Sequence, residues 1–537
     1  MNRIALLIAL LVLCLTLAAQ ETFTWATSGG GAQWDNVFDL ACDSAGNSYV
    51  VGIFYSSATF GATTINSAGD ADILVAKLGP TGNWLWARRA GSSAADRASA
   101  IAVDADGNCY VTGYYRGSAD FGPYTLAHNS YSDIFVAKLD ASGNWLWAVN
   151  ASSGEYETGN DICLDNSGNS YLAASFAYEL TLGTHTVTGF GGSDILVAKI
   201  SPAGNWLWAT AAGGSSADTP EAIARDNAGN LYVGGWFWQD CAFGSHSLQA
   251  VNAQDAYVAK LSPTGNWLWA TPASGNRDET IYSLAADADG NCCVTGNFFA
   301  NATYGAENLI TDFYSADIFV ARIDSGGNWL WAVSAGGNSG DSGEGICLDA
   351  WGHIYVTGWF YQTALFGLTE LTTQGLYTYE DAFVAKLDAY GNWLWAKRAG
   401  GGWGDRAYGI SVPPDGSCRI AGDFNNSAGF DDIILPPLGG TAFVDVFVAR
   451  LSLSQQPSSP LNLDIARNGT DNTLTWNSVT LDIHGQPIVP DGYRVYWSTV
   501  SSWRGYNLLA QVTGTSYVHI GGANNSRGWY YVKTLLE

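Results

Sequence analysis

Basic residues, methionine and long apolar runs are all scarce in this chain of 537 residues. It has one Met, six His and 23 Lys and Arg against 49 Asp and Glu, a formal charge of −26. A surface this negative repels phosphate backbones and anionic headgroups, which argues against nucleic acid and membrane-surface partners. Beyond residues 4–15 no stretch approaches the roughly eighteen apolar residues of a membrane span, so no membrane insertion is expected. Helical periodicity is missing throughout. So are the common hydrolase signatures: there is no G-x-S-x-G elbow, no H-E-x-x-H, no C-x-x-C and no sialidase-type aspartate box. His185 and His246 occupy matching places in adjacent repeats, too far apart at a rim to share a metal.

Residues 1–19 hold one cation, Arg3, then an apolar run from Ile4 to Leu15 and the small pair Ala18 and Ala19. This pattern predicts a cleaved secretory signal peptide, and hence a secreted, extracellular or cell-surface location. Of the cysteines that remain, Cys42, Cys109, Cys163, Cys241, Cys347 and Cys418 fall one to a repeat, and Cys292 and Cys293 are neighbours. Neither arrangement favours a bridge, so free thiols packed as small apolar residues are expected.

What the chain does have is a repeat. GNWLWA begins at Gly82, Gly143, Gly204, Gly265, Gly327 and Gly391, at intervals of 61, 61, 61, 62 and 64 residues. A fixed period of this kind means one supersecondary unit copied in tandem. Within residues 98–148, ASAIAVD, CYVTGYY, DIFVAKL and NWLWA read as four short strands, a to d, with DADGN and DASG as hairpin turns. The strands are apolar on both sides, so each sheet must lie between two others, as in a β-propeller. Strand c opens at Asp72, Asp133, Asp194, Asp255, Asp317, Asp381 and Asp445, while strand d follows only six times. TFTWAT (22–27) resembles the missing copy, which predicts seven blades over residues 20–453 with the N-terminal strand closing the last.

The ordered motifs GN-x-Y-V-T-G, F-G, D-I-F-V-A-K-L-D and G-N-W-L-W-A resemble the bacterial SBBP-type β-propeller repeat over residues 22–452. The resemblance implies an exported bacterial protein and no particular reaction. Residues 454–460 read as a linker. Strand-like segments around Trp476 in 461–537 resemble a fibronectin type III β-sandwich, whose last strand is missing before Glu537. No C-terminal sorting segment is read there.

Two sets of residues are candidates for binding. Asp35, Asp96, Glu157, Asp218, Asp278, Asp341 and Asp405 recur in the strand d–a connections and would form an acidic ring, unless each merely caps its own loop. Seven such carboxylates stand too far apart to chelate one ion together; no cofactor is called for, and calcium is left open. The DADGN turns lack the remaining ligands of a calcium loop and read as hairpins. Phe54, Tyr115, Phe176, Phe237, Phe298, Phe360 and Phe424 recur in every repeat and read as core. Their flanking positions differ between repeats. Trp236 with Trp238, and Trp359 with Tyr361, read as equipment for stacking on sugars or gripping peptides, unless they pack between blades.

Sequence therefore points to a non-enzymatic binding scaffold for a glycan or extracellular protein on the d–a/b–c loop face. The alternatives are a structural envelope or matrix component, or a carbohydrate-active hydrolase or lyase using Glu221, Glu279 or Glu344 in top loops.

Overall fold

The structure, a computed structural model, describes residues 21–452 except 130, 312–313, 376–378 and 441–442, and beyond them the strands at 464–468, 471–475, 492–498, 507–512, 516–519 and 529–535. The expected signal segment 1–19, the linker 454–460 and Trp476 lie outside the described residues. Phe23–Leu451 forms one compact unit, and the chain from Ser452 onward falls in a second.

The second repeat shows the building plan. Arg97–Val103, Cys109–Tyr115, Asp133–Leu139 and Trp145–Ala151 pair antiparallel in the order a-b-c-d. At the a–b turn, the backbone N–H groups of Asp106 and Asn108 donate to Asp104 Oδ1 at 3.1 and 2.9 Å, and Gly107 adopts φ +78°. The aspartate is spent on closing the hairpin, as expected. Strands b and c are almost wholly buried, because sheets cover both of their faces. All seven recurring aromatic residues from Phe54 to Phe424 are fully buried.

Five further sheets follow the same plan, opening at Asn36, Thr158, Asp218, Glu279 and Asp341. The chain is thus an all-β β-propeller with six evenly spaced blades built from continuous stretches, rather than the expected seven. The last three strands of the array, Asp405–Ser411, Cys418–Asn425 and Val444–Ser452, have no strand d after them among the described residues. Their sheet is composite, because Thr22–Gly31 pairs beside Val444–Ser452.

The recurring hexapeptide has a packing explanation. Its glycine holds φ near +80° at the c–d turn, where an added Cβ would strike the tryptophan ring of the preceding blade: Gly143 on Trp86 at 2.9 Å, Gly204 on Trp147 at 3.0 Å. Those rings donate Nε1–H to carbonyls of that turn, Trp86 to Ala141 at 3.2 Å and Trp147 to Pro202 at 2.9 Å. Trp25 repeats the contact. It donates to the Pro80 carbonyl at 3.1 Å and lies 2.7 Å from where a Cβ on Gly82 would sit. The N-terminal strand therefore does the work of a strand d.

All eight cysteines among the described residues are free and buried or half-buried, as expected. Among those residues no helix is long and apolar enough to cross a membrane. In the second unit the described strands form two three-stranded sheets, Asp464–Asn468 with Asp471–Thr475 and Ser516–His519, and Asn507–Val512 with Gly492–Ser498 and Trp529–Leu535. The separate sandwich expected at 461–537 is not seen among the described residues.

Candidate functional site

The acidic ring is buried scaffold. Asp35, Asp96, Glu157, Asp218, Asp341 and Asp405 are at most 1% exposed. Glu157 holds its own loop through Ser153 and Glu155, and the other carboxylates reach from the strand d–a connection to the end of strand b. Asp341 Oδ2 accepts the Gly337 N–H at 2.8 Å and its Oδ1 accepts the Tyr361 N–H at 2.9 Å. Asp35 does the same with Gly31 and Tyr55, Asp96 with Ser92 and Arg116, and Asp405 with Gly401 and Asn425. The strand-c aspartates, such as Asp72 and Asp194, are buried alongside and cap their own loops. Burial pushes Asp35 and Asp218 up to about 7 and Asp341 to about 8, against the pull of those backbone donors.

In the fifth blade the ring position belongs to Glu279 and not to Asp278. Glu279 is fully buried and pairs with Phe298, as Asp341 pairs with Phe360. Asp278 is half-buried, and its Oδ1 accepts the Gln254 N–H at 3.4 Å. Two adjacent acids made the register ambiguous by one residue.

The blade-specific chemistry lies on the propeller axis. Every strand a carries a β-bulge, leaving one unpaired residue: Phe38, Ser99, Asn160, Glu221, Tyr282, Glu344 and Tyr408. A bulge re-aims a side chain out of the pleat. All seven of these residues line one cavity of about 150 Å³, together with Asp39 and Asp161. Glu221 and Glu344 thus stand on strands rather than in top loops.

Trp236 and Trp359 face these glutamates. Trp236 Nε1–H donates to Glu221 Oε1 at 3.0 Å, and Trp359 Nε1–H donates to Glu344 Oε1 at 2.9 Å. Burial, with the charge of Glu344 added, pushes Glu221 up to about 7, against the Trp236 hydrogen bond. Burial likewise raises Glu344 and lifts Tyr282, between them in sequence, to about 12. Four carboxylates line the cavity, and no Lys or Arg among the described residues does. Asp39 and Asp161 each accept two backbone N–H groups, one of them from the following blade, so they join the scaffold. Besides the tryptophans, Asn160 hydrogen-bonds Glu221 and Ser342 hydrogen-bonds Glu344.

The expected aromatic pairs therefore divide. Trp236 and Trp359 stand behind the cavity lining and hold its glutamates. Trp238 is 40% exposed at the loop end, and Tyr361 meets Trp359 edge-on at 5.7 Å. Arg406 covers the Trp359 ring at 5.2 Å and pairs with Glu380 at 2.8 Å. The same loop end carries aromatics that sequence did not single out: the stacked Tyr131 and Tyr156 at 4.8 Å, Tyr379 against Trp403 at 5.0 Å, and Trp34. The available signal was the disagreement between repeats at positions 38, 99, 160, 221, 282, 344 and 408. Without the bulge, that position cannot be assigned to the axis.

Residues 207–236 match a known repeat family, described as SBBP, beta-propeller repeat. An uncharacterized WD repeat-containing protein, L264, of Acanthamoeba polyphaga mimivirus is 23% identical over 425 residues, 64% of this chain. The match spans only 31% of that relative's length. Among solved structures, a protein of unknown function from Bacteroides caccae is 12% identical at a TM-score of 0.31, covering 60% of this chain and 89% of its own. Sqt1 from Chaetomium thermophilum is 11% identical at a TM-score of 0.39, covering 75% of this chain and 97% of its own. With the sheets described above, the sequence match makes this chain a β-propeller repeat protein that carries an SBBP repeat.

Proposed function

We propose that the chain is an exported, non-enzymatic binding scaffold of bacterial type. Its ligand, a glycan or an extracellular protein, lies across the d–a/b–c loop end and reaches the axial cavity. In this reading the composite sheet counts as a seventh blade, and residues 461–537 form a fibronectin type III-like module. The observation that carries it is the pair of Trp–Glu contacts, Trp236 with Glu221 and Trp359 with Glu344, set in a wall whose other bulge residues are Phe38, Ser99, Asn160, Tyr282 and Tyr408. Scaffold demands are equal in all blades, so side chains that differ there answer to something else. The cavity, about 150 Å³, is below the roughly 300 Å³ at which whole small-molecule sites begin. It suits one end group or side chain, with the remainder of the ligand on the exposed aromatics.

The test is a glycan and peptide array with the purified protein and its Trp236→Ala/Trp359→Ala variant. Loss of two partly buried aromatic anchors should weaken binding at least ~30-fold. Unchanged binding would remove the site, and no binding to any array would favour a structural matrix component.

A hydrolase or lyase is the second reading, favoured by one observation: the mutual charge of Glu221 and Glu344 in a confined site suits one acid and one base. Turnover of an array ligand that Glu221→Gln abolishes would support it.

A further inference from the structure

Arg97 and Arg406 hold the same place in the repeat, each directly after a ring acid, Asp96 or Asp405. Each lies over an aromatic ring of the preceding blade, Arg97 over Phe38 at 3.8 Å and Arg406 over Trp359 at 5.2 Å. Their charges are met differently. Arg406 Nε donates to Glu380 Oε1 at 2.8 Å. Glu380 stands one residue before the strand-c aspartate Asp381, and the residue at that place before Asp72 is Ala71. The correspondence holds in space, because this residue lies against the ring acid of the next blade. The Asp96 N–H donates to the Ala71 carbonyl at 2.8 Å, as Glu157 does to Ser132 at 3.1 Å and Asp35 to Val444 at 2.9 Å.

Arg97 is therefore left without a counter-charge. Its Nε is buried without a partner, and its guanidinium forms no ion pair or hydrogen bond among the described residues. The carboxylate that it feels, Glu221, makes no ion pair with it and is held by Trp236 and Asn160. Burial lowers the Arg97 pKa. At Arg406 burial pulls the same way, but Tyr408 and Glu380 overcome it. Stacking on Phe38 offsets only part of the cost of desolvating a charge.

The surroundings suit a ligand group. Phe38 lines the axial cavity and meets Tyr408 edge-on at 6.0 Å. Ser99, the bulge residue of Arg97's own strand, lines the same cavity. Tyr114 pairs with Arg97 in the sheet, and the Arg116 guanidinium lies over the Tyr114 ring at 5.0 Å. An unmatched guanidinium fork beside a cavity sized for one end group fits a planar carboxylate.

We propose that Arg97 takes the carboxylate of a uronic acid at the end of a glycan, which supplies the acid that Ala71 lacks. The inference rests on the binding-scaffold reading and narrows its ligand. The ring faces of Tyr131 with Tyr156 and of Tyr379 with Trp403, exposed at the same loop end, favour a sugar over a peptide. A formal charge of −26 repels a polyanion, so the ligand carries one terminal acid and is not a polyuronate.

The test titrates the full-length protein calorimetrically with oligosaccharides ending in glucuronate or galacturonate, and with their carboxyl-reduced twins. The acidic forms should bind at least ~10-fold more tightly. Arg97→Gln should bring them down to the level of the neutral twins. Ala71→Glu should do the same by supplying the acid from within, with Tm unchanged or raised. Acidic and neutral forms bound alike, or a preference that survives either substitution, would overturn the inference and leave the scaffold reading to its own test with the tryptophan variant. Binding of an aspartate-bearing peptide in place of every uronate would assign Arg97 to a protein partner and overturn it too. Binding of neither sugars nor peptides would overturn both.

Discussion

A chain lacking residues 22–31 is expected to lose cooperative folding of the propeller. That segment supplies the outer strand of the composite sheet. Phe23 is buried, packs edge-on against Phe430 at 5.2 Å, and its N–H donates to Asp431 Oδ2 at 2.9 Å. The carbonyl of Ser28 accepts the Trp84 Nε1–H at 2.8 Å, and Gly30 and Gly31 pair with Thr59 and Ala58 of the first blade. Burial of one large aromatic contributes about 2–3 kcal/mol. With the ladder hydrogen bonds and the Trp25 contact, the loss is on the order of 5 kcal/mol or more, comparable to the whole stability of many domains. The open edge of Val444–Ser452 would also be free to pair with another chain. Circular dichroism melts of the truncated and full-length proteins, with light scattering, check this. Separate addition of a 22–31 peptide should restore part of the transition.

Stability should be highest in mildly acidic solution and fall toward alkaline pH, the reverse of most acidic proteins. Burial holds Asp39, Asp381 and Asp445 at about 6, Asp35, Asp161, Asp218 and Asp423 at about 7, and Asp341 at about 8. Between the unfolded value near 4 and these folded values, the folded chain holds more protons than the unfolded one. Raising pH through that window therefore removes stability, by about 1.4 kcal/mol per pH unit for each proton of difference. The turn aspartates act in the opposite sense. Backbone and asparagine donors hold Asp140, Asp165, Asp287 and Asp324 below the usual carboxylate value despite partial burial, so their contribution is lost as pH falls through that lower range. The optimum should lie between pH 4 and 6. Calorimetry at pH 5 and pH 8 should give a Tm about 5–10 °C higher at pH 5; an equal or lower value at pH 5 would mean that these carboxyls ionise freely.

Much of this architecture was legible because a repeat multiplies its own signal. The hairpin turn at Asp104, the core role of Phe54 and its equivalents, the free cysteines and the closing strand around Trp25 all follow from motifs that recur in register. The site was less legible, for two physical reasons. A surface carboxylate and a buried loop cap have the same sequence signature, so sequence leaves Asp35 and Asp405 open between ligand group and loop cap, and their hydrogen bonds make them caps. A β-bulge shifts alternation by one residue, so nothing in the string TPEAIA announces that Glu221 leaves the pleat while Ala222 stays in it. Adjacent acids hid the ring position at Glu279 in the same way. The count of six continuous blades differs from seven because the last sheet is assembled from both ends of the array.

Asp341 and Glu344 lie three residues apart on one strand, the first assigned to the scaffold and the second to the ligand site. Differential scanning calorimetry of Asp341→Ala and Glu344→Gln at pH 7 separates these roles. Asp341→Ala strands two buried N–H groups, at about 1–3 kcal/mol each, and should lower Tm by several degrees. Glu344→Gln keeps the Trp359 hydrogen bond, removes a buried charge facing Glu221, and should leave Tm unchanged or raise it, as site residues commonly do. Equal losses in both variants would contradict the division of the acids into scaffold and site.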